Sequence, residues 1–333
     1  MRGFVIKSTG SWYIVKTDNG QFVECKIKGN FRLKGIRSTN PIAVGDIVEI
    51  QTPIQNSQQT ATMITAISDR KNYIIRKSIN LSKQSHIIAA NVDRAFLVVT
   101  VSHPETSTTF IDRFLASAEA YRIPVTLLFN KTDLLTDEEL HYQKMMIDLY
   151  EHIGYQCISV SAVTGDGITE IKHLLTGCIS VFSGHSGVGK SSILNHFIEG
   201  RTLKTAALSE AHDSGMHTTT FSEMIQIFNN SSTDTQTNDN EKTHNYVKDT
   251  YVIDTPGIKG FGTFDIEKEE LTSYFKEIFE FSQHCRFSNC THTHEPGCAV
   301  LKALDEHLIA QSRYNSYISM LGDKDEDRYR AQF

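Results

Sequence analysis

The sequence predicts a mixed α/β chain in three parts: an N-terminal β-barrel of the OB-fold type, a parallel sheet wound by βαβ units, and a C-terminal helical domain closed by a metal. Three observations carry this. β-type patterning is confined to roughly the first 70 residues, strand-like and helical runs alternate from about residue 90, and three of the six cysteines cluster between 285 and 298. A chain of 333 residues provides for roughly two to three domains and a sizeable core. Hydrophobic content of 39% and charged content of 22% are ordinary globular values and exclude a wholly disordered chain. No apolar run is long enough for a membrane-spanning helix. The opening MRGFVIKSTGSWYIV alternates apolar and polar residues and lacks the apolar core of a signal peptide. The other cysteines, at 25, 157 and 178, are scattered, which points to a reducing cytoplasm rather than a disulfide framework.

In the first part, FVIKSTGSWYIVKT, QFVECKIKG and IAVGDIVEI alternate or cluster β-branched and aromatic residues, and Asn19-Gly20 between two runs signals a hairpin. Short strands packed into under 70 residues favour a small barrel. Residues 1–84 hold 13 Lys and Arg against 5 Asp and Glu, a net of +8, while the rest of the chain sums to −14. A basic head on an acidic body fits contact with a polyanion at one end; chance surface composition is the bland alternative. In the second part, strand-like runs at 95–101, 125–129, 157–160 and 179–183 alternate with helical stretches near 110–122, 137–153 and 167–176. A further strand pair near 221–228 and 250–254 flanks a low-complexity polar insertion at 229–248. Beyond Phe264 one helix is expected near 266–283 and another through 299–320. The expected domains are therefore 1–70, 85–264 and 265–333.

Gly184, His185, Ser186, Gly187, Val188, Gly189, Lys190 and Ser191 match G-x-x-x-x-G-K-[ST], between an apolar strand and a helix that Ser192 continues. Glycines let backbone N–H groups close around phosphate oxygens. Lys190 is expected to reach the β- and γ-phosphates and Ser191 to hold Mg²⁺. Asn130-Lys131-Thr132-Asp133 follows the strand PVTLLF. A carboxylate at Asp133 accepts from the N1–H and 2-amino group of guanine, which adenine cannot offer, so the base is expected to be guanine. Asn130 is expected to help fix the loop, and the Lys131 stem to lie across the ring. Ser161 and Ala162, after another strand, are expected to supply backbone donors to the guanine O6.

Asp254-Thr255-Pro256-Gly257 fits D-x-x-G, with Asp254 toward Mg²⁺ through water and the Gly257 N–H facing the γ-phosphate. His217-Thr218-Thr219-Thr220 occupies the switch position, where Thr219 is the preferred ligand for Mg²⁺. A polar strand start is the alternative for that triplet. The order, guanine elements before P-loop before D-x-x-G, is circularly permuted relative to ordinary GTPases. Ile258 stands where Ras-like enzymes carry a water-orienting Gln, and His217 is the candidate to replace it; an exposed loop histidine is the alternative. Intrinsic hydrolysis is expected to be slow without a partner.

Cys285, Cys290 and Cys298 provide three thiolates, and His292 or His294 (with His284 more distant) an imidazole, a donor set that suits a closed structural Zn²⁺ site.

With permuted GTPase motifs, a basic barrel before them and this cluster after, the sequence resembles the RsgA (YjeQ) family of ribosome small-subunit-dependent GTPases over nearly its whole length. Further likeness lies in Asn40-Pro41-x-Ala43-Val44-Gly45-Asp46, Ala90-Asn91-Val92-Asp93 and Glu295-Pro296-Gly297-Cys298. The resemblance implies GTP hydrolysis stimulated by the small ribosomal subunit, a role in its late maturation in the bacterial cytoplasm, and rRNA binding. It also implies a hydrolytic role for His217 and zinc on Cys285, Cys290, His292 and Cys298. The expected partners are thus the small subunit with its rRNA and GTP or GDP, with no membrane; the chain is expected to be a monomer that leaves the subunit on hydrolysis. The insertion at 229–248 is longer than the family's pattern. Two rival readings are an RNA-binding module with an inert nucleotide site, which intact Lys190, Ser191 and Asp254 oppose, and a transport or signalling GTPase without RNA, which the basic head opposes.

Overall fold

Period-two patterning closes the first part of the chain into a barrel. Strands β1 (Arg2–Ser8), β2 (Tyr13–Thr17), β3 (Phe22–Ile27), β4 (Ile47–Gln51) and β5 (Thr62–Ile67) pair in the order β1-β2-β3-β5-β4, and β4 returns to β1. The β3–β5 contact is parallel and the others antiparallel. Tyr13 and Val15 of β2 point inward onto Val5, Cys25, Val48 and Ile64. The Asn19-Gly20 turn is present, with Gly20 at φ +81° and its N–H on the Thr17 carbonyl at 2.8 Å. On the outer face, Trp12 precedes β2 and Phe22 begins β3, 61% exposed. The Lys26 ammonium lies 4.3 Å over the Trp12 ring and the Lys16 ammonium 5.7 Å over Phe22.

The computed structural model describes residues 1–27, 41–52, 61–77, 85–198, 223–228, 249–254 and 267–322. After the barrel comes a hairpin of β6 (Tyr73–Lys77) and β7 (Ser85–Ala90), which the sequence patterning had not revealed. Then β8 (Arg94–Val99), α1 (Thr108–Ala120), β9 (Val125–Phe129), α2 (Asp137–Ile153), β10 (Gln156–Ser159), α3 (Ile168–Leu175), β11 (Ile179–Ser183) and α4 (Lys190–Asn195) alternate as expected. Strands β12 (Glu223–Phe228) and β13 (Thr250–Asp254) follow, then helices α5 (Lys276–Ser282), α6 (Ala299–Asp305) and α7 (Gln311–Gly322). The local chemistry explains the boundaries. Thr136 and Glu139 form a reciprocal capping box that starts α2, and Gly154 at φ +96° ends it.

The chain divides into two compact units interleaved in sequence. The first comprises Met1–Arg94, Ile168–Phe182 and Ser191–Ile258; the second comprises Ala95–Gly167, Ser183–Lys190 and Lys259–Phe333. In the first, β11 runs parallel to β13, β13 antiparallel to β12, and β12 meets β1 of the barrel where Lys7 pairs with Glu223.

In the second unit, β8, β9 and β10 form a parallel trio with β9 central, and every residue of β9 is buried. Its C-terminal helices pack around Leu271, Phe275, Ile278, Val300, Ile309 and Tyr317. Arg313 of α7, 1% exposed, donates to Asp112 of α1 at 2.7 Å and to both Glu277 oxygens of α5 at 2.6 and 3.1 Å. The Tyr150 hydroxyl also donates to Asp112, at 2.8 Å. The single helix expected at 266–283 is broken: a 3-10 turn at Leu271–Tyr274 ends at Phe275, whose extended backbone puts its ring into the core. The helix expected at 299–320 is two helices. Between them His307 turns the chain at φ +60° and Ile309 reaches the core at 2% exposure.

Candidate functional site

The phosphate loop starts where β11 ends. Gly184 has φ +138°, and a Cβ there would lie 2.3 Å from the Val98 carbonyl oxygen, so the loop passes against the backbone of β8 with no room for a side chain. Gly189 has φ +97°, and a Cβ there would lie 2.3 Å from Asn130 Nδ2. Both glycines are therefore required by close approach as well as by backbone conformation. Lys190 Nζ donates to the Gly184 and His185 carbonyls at 2.7 and 2.5 Å, folding the loop around its own ammonium. Gly187 and Ser186 are exposed, Val188 is fully buried, and Ser191 is buried at the start of α4, with Ser192 half-buried beside it. The His185 ring packs on Phe110 of α1 with centroids 3.9 Å apart. Partial desolvation, then the Lys190 charge, lower the His185 pKa.

Asn130 joins the phosphate side of the site to the base side. It is 1% exposed; its Nδ2 donates to the Val188 carbonyl at 2.7 Å and its Oδ1 accepts from the Ala162 N–H at 3.2 Å. Lys131 takes the left-handed conformation at φ +66°, and its ammonium donates to the His103 carbonyl. Thr132 Oγ1 donates to the Val160 carbonyl at 3.1 Å. Exposed Asp133 accepts the Ser161 hydroxyl at 2.6 Å, and Ser161 Oγ in turn accepts from the Thr164 N–H at 3.0 Å. The four residues 130–133 and the pair 161–162 are thus brought together with Val188 of the P-loop, and the Asp133 carboxylate is presented at the surface beside a fixed loop.

Asp254 ends β13 in register with Glu223. His217, Thr219 and Gly257, the expected switch and D-x-x-G residues, lie outside the described residues, as do Ile258 and the insertion at 229–248.

The metal cluster is built on one loop and the start of α6. The ligand atoms of Cys285, Cys290, His292 and Cys298 all lie within 4.8 Å of one another. Sγ of Cys285 is 3.9 Å from that of Cys298, and the His292 Nδ1 is 3.6 and 3.5 Å from those two sulfurs. A tetrahedral zinc with Zn–S of about 2.3 Å and Zn–N of about 2.0–2.1 Å sets S···S near 3.8 Å and S···N near 3.6 Å, so the donor set fits that ion. His292, buried at φ +60°, faces the sulfurs, whereas exposed His294 bonds Thr293. The Tyr314 and Tyr317 hydroxyls of α7 hold the His292 and Thr291 carbonyls at 2.7 and 3.2 Å. Glu295 accepts from the N–H groups of Thr291, Thr293 and His294 at 2.8, 3.0 and 3.1 Å. Desolvation pushes its carboxyl up, but these bonds and the Thr291 hydroxyl outweigh it and hold the pKa far below the usual carboxylate range.

Sequence reasoning did not assign roles to Glu295, Phe110 or His103. For Glu295 a signal existed, an acid inside the Cys/His run before Pro-Gly. For Phe110 and His103 none did, because their contacts span the fold.

Comparison with known proteins agrees with this geometry. A family model described as RsgA GTPase matches residues 67–264, and one described as RsgA N-terminal domain matches residues 2–61. "Small ribosomal subunit biogenesis GTPase RsgA" of Bacteroides fragilis (strain YCH46) is 60% identical over 333 residues, covering 100% of both chains. The protein of that name from Porphyromonas gingivalis (strain ATCC 33277) is 52% identical, again over 100% of both. The crystal structure of YjeQ from Thermotoga maritima aligns with TM-score 0.71 and 35% identity over 97% of this chain and 99% of that one. YloQ, described as a circularly permuted GTPase, aligns with TM-score 0.69 and 27% identity over 99% and 96%.

Proposed function

Since the chain belongs to the RsgA family of GTPases, and is a GTP hydrolase of circularly permuted order, we propose that it acts on the small ribosomal subunit during late maturation. On this reading it hydrolyses GTP to GDP and phosphate when the subunit stimulates it, and it leaves the subunit on hydrolysis. The observation that carries the guanine nucleotide assignment is Asn130, whose amide ties the Val188 carbonyl of the P-loop to the Ala162 N–H beside Asp133 and Ser161.

The assigned roles follow from chemistry. Asp133 reads the guanine N1–H and 2-amino group, and Lys131 covers the ring. The amides of Gly184–Ser192 and the Lys190 ammonium cradle the phosphates. Ser191 and Thr219 would hold Mg²⁺ with Asp254 close by, and the ion would supply neutralisation of charge on the β- and γ-phosphates. Gly257 faces the γ-phosphate, and His217 orients the attacking water. Cys285, Cys290, His292 and Cys298 would hold a zinc that staples their loop onto the helical domain, a structural role in which all four ligands come from the protein.

The ribosomal partner is supported by the relatives' names and by the basic barrel. Exposed Trp12 and Phe22 suit stacking against unpaired bases of rRNA, and exposed Lys26 over the Trp12 ring supplies a cation for the backbone beside them. Among the described residues no helix is long and apolar enough to cross a membrane, and we place the protein in the cytoplasm as a monomer.

The test is GTP turnover by the pure protein with and without small ribosomal subunits, beside a His217→Ala variant. Strong stimulation that the variant loses is the expected result. Turnover indifferent to subunits would overturn the ribosomal reading, and a fully stimulated variant would remove His217 from the reaction.

A further inference from the structure

Two runs picked out in the sequence are assigned no part in nucleotide or metal binding: 40–46 and 90–93. In the fold 41–46 and 90–93 meet. Gly45, at φ +94°, lies so close to Ala90 that a Cβ would come within 2.0 Å of its carbonyl oxygen. Ala90 N–H donates to the Val44 carbonyl at 2.8 Å, and Asn91 Nδ2 donates to the Gly45 carbonyl at 2.9 Å. Gly45 is itself fastened to the barrel, its N–H on the Val5 carbonyl at 2.8 Å. Buried Asp46 accepts two Arg70 bonds at 2.6 Å, and Arg70 also holds the Pro41 carbonyl at 2.7 Å.

From Asn91 the connection continues without a break. Asn91 Oδ1 accepts from the Lys71 N–H at 3.0 Å. Asn72 uses both halves of its amide on Val92, donating to its carbonyl and accepting from its N–H, each at 2.8 Å, as a neighbouring strand would. Asp93 then clamps the first residue of β11: its N–H donates to the Ile179 carbonyl at 2.8 Å and its Oδ2 accepts from the Ile179 N–H at 2.7 Å. Lys71 pairs with its other oxygen. Strand β11 runs directly into Gly184.

We infer that Asn91 and Asp93 form the joint through which the state of the barrel and the state of the P-loop strand set one another. This rests on the GTPase reading and not on the identity of the barrel's partner. The barrel meets the same sheet elsewhere through two lysines: Lys7 pairs with Glu223, side chains 35% and 53% exposed and so weakly held, while less exposed Lys16 of β2 bonds the Asp249 carboxylate and, at 2.8 Å, the Tyr251 hydroxyl of β13. Coupling between two sites is reciprocal, so nucleotide must be felt in the barrel.

The experiment is hydrogen exchange of barrel segment 42–50 in the full chain, loaded with GDP or with a non-hydrolysable GTP analogue. In the unmodified protein the two nucleotides should differ in exchange there by about fivefold or more, the lower end of ordinary site-to-site coupling. Asn91→Gly keeps the left-handed backbone of this residue (φ +56°) while deleting both side-chain bonds; it should abolish the difference and leave basal turnover unchanged. Asp93→Ala should do the same to the difference, Asp93→Asn should restore it by offering Ile179 an acceptor, and Lys7→Ala and Lys16→Ala, which cut the barrel's other two links to the sheet, should leave it intact. An undiminished response in Asn91→Gly, or no response in the unmodified protein, overturns the inference. If nucleotide moves the barrel while subunits fail to stimulate turnover, the joint stands and the ribosomal reading falls.

Discussion

Arg313→Met removes the guanidinium from the centre of the second unit and keeps an unbranched apolar side chain. Asp112, fully buried, is then left with the Tyr150 and Ser316 hydroxyls, and Glu277 loses a bidentate partner. Removing one member of a buried ion pair costs about 3–5 kcal/mol, because the survivor is a desolvated charge. At about 2–4 °C per kcal/mol for a unit of roughly 150 residues, the unfolding midpoint should fall by about 6–20 °C. The loss should depend on pH. Burial pushes the Asp112 carboxyl up, with Arg313 and the Ser316 and Tyr150 hydroxyls acting against it, and deleting Arg313 lets it rise further. A carboxyl whose folded pKa exceeds its unfolded value of about 3.9 stabilises the folded state at low pH and loses that stabilisation as pH rises through the folded pKa. The penalty should therefore be smaller at mildly acidic pH than at neutral pH. Circular dichroism at the helix band reads mainly this unit, which holds α1, α2 and α5–α7. The penalty should also shrink in an Asp112→Asn background. A midpoint within 2 °C of the unmodified protein, or a loss that is the same at both pH values, would refute the argument that Arg313 neutralises a buried carboxylate.

Gly189→Ala should abolish binding of a fluorescent guanine nucleotide, by about 100-fold or more, since the methyl meets Asn130 Nδ2 and φ is positive; retained affinity would show that the strut can yield. Asp133→Asn replaces an acceptor with a donor, so GTP affinity should fall by about 2–4 kcal/mol while xanthosine triphosphate gains; an unchanged base preference in competition assays would remove Asp133 from recognition. Cys298→Ser should reduce bound zinc from one per chain to near zero by elemental analysis, and it weakens the cap that Sγ gives the Leu301 N–H at 3.4 Å. Full zinc content in that variant would mean that Cys298 is not a ligand.

What could be read in the sequence was what depends on spacing within one segment. The P-loop, the run 130–133 and the Cys/His cluster each bring their chemistry together within fourteen residues, and the barrel announces itself through alternation and a hairpin turn. Contacts between distant segments were not legible. Nothing in the spacing says that Asn130 bonds a carbonyl 58 residues away, or that Arg313 pairs with Asp112 across 201 residues. The β6–β7 hairpin was missed because 70–90 mixes basic and apolar residues without clear alternation. The helix breaks at Phe275 and after Asp305 carry no Gly or Pro; core packing of Phe275 and Ile309 imposes them.

Interleaving of the two units has a consequence for synthesis. Asp112 leaves the translating ribosome long before Arg313 is made: at roughly 5–20 residues per second, 201 residues take about 10–40 s. Until then β8–β10 and α1 carry a carboxylate on their inward side with no cation to meet it. The second unit draws on segments far apart in the sequence, so a nascent chain stalled before α7 should be cut by protease more readily than the full chain.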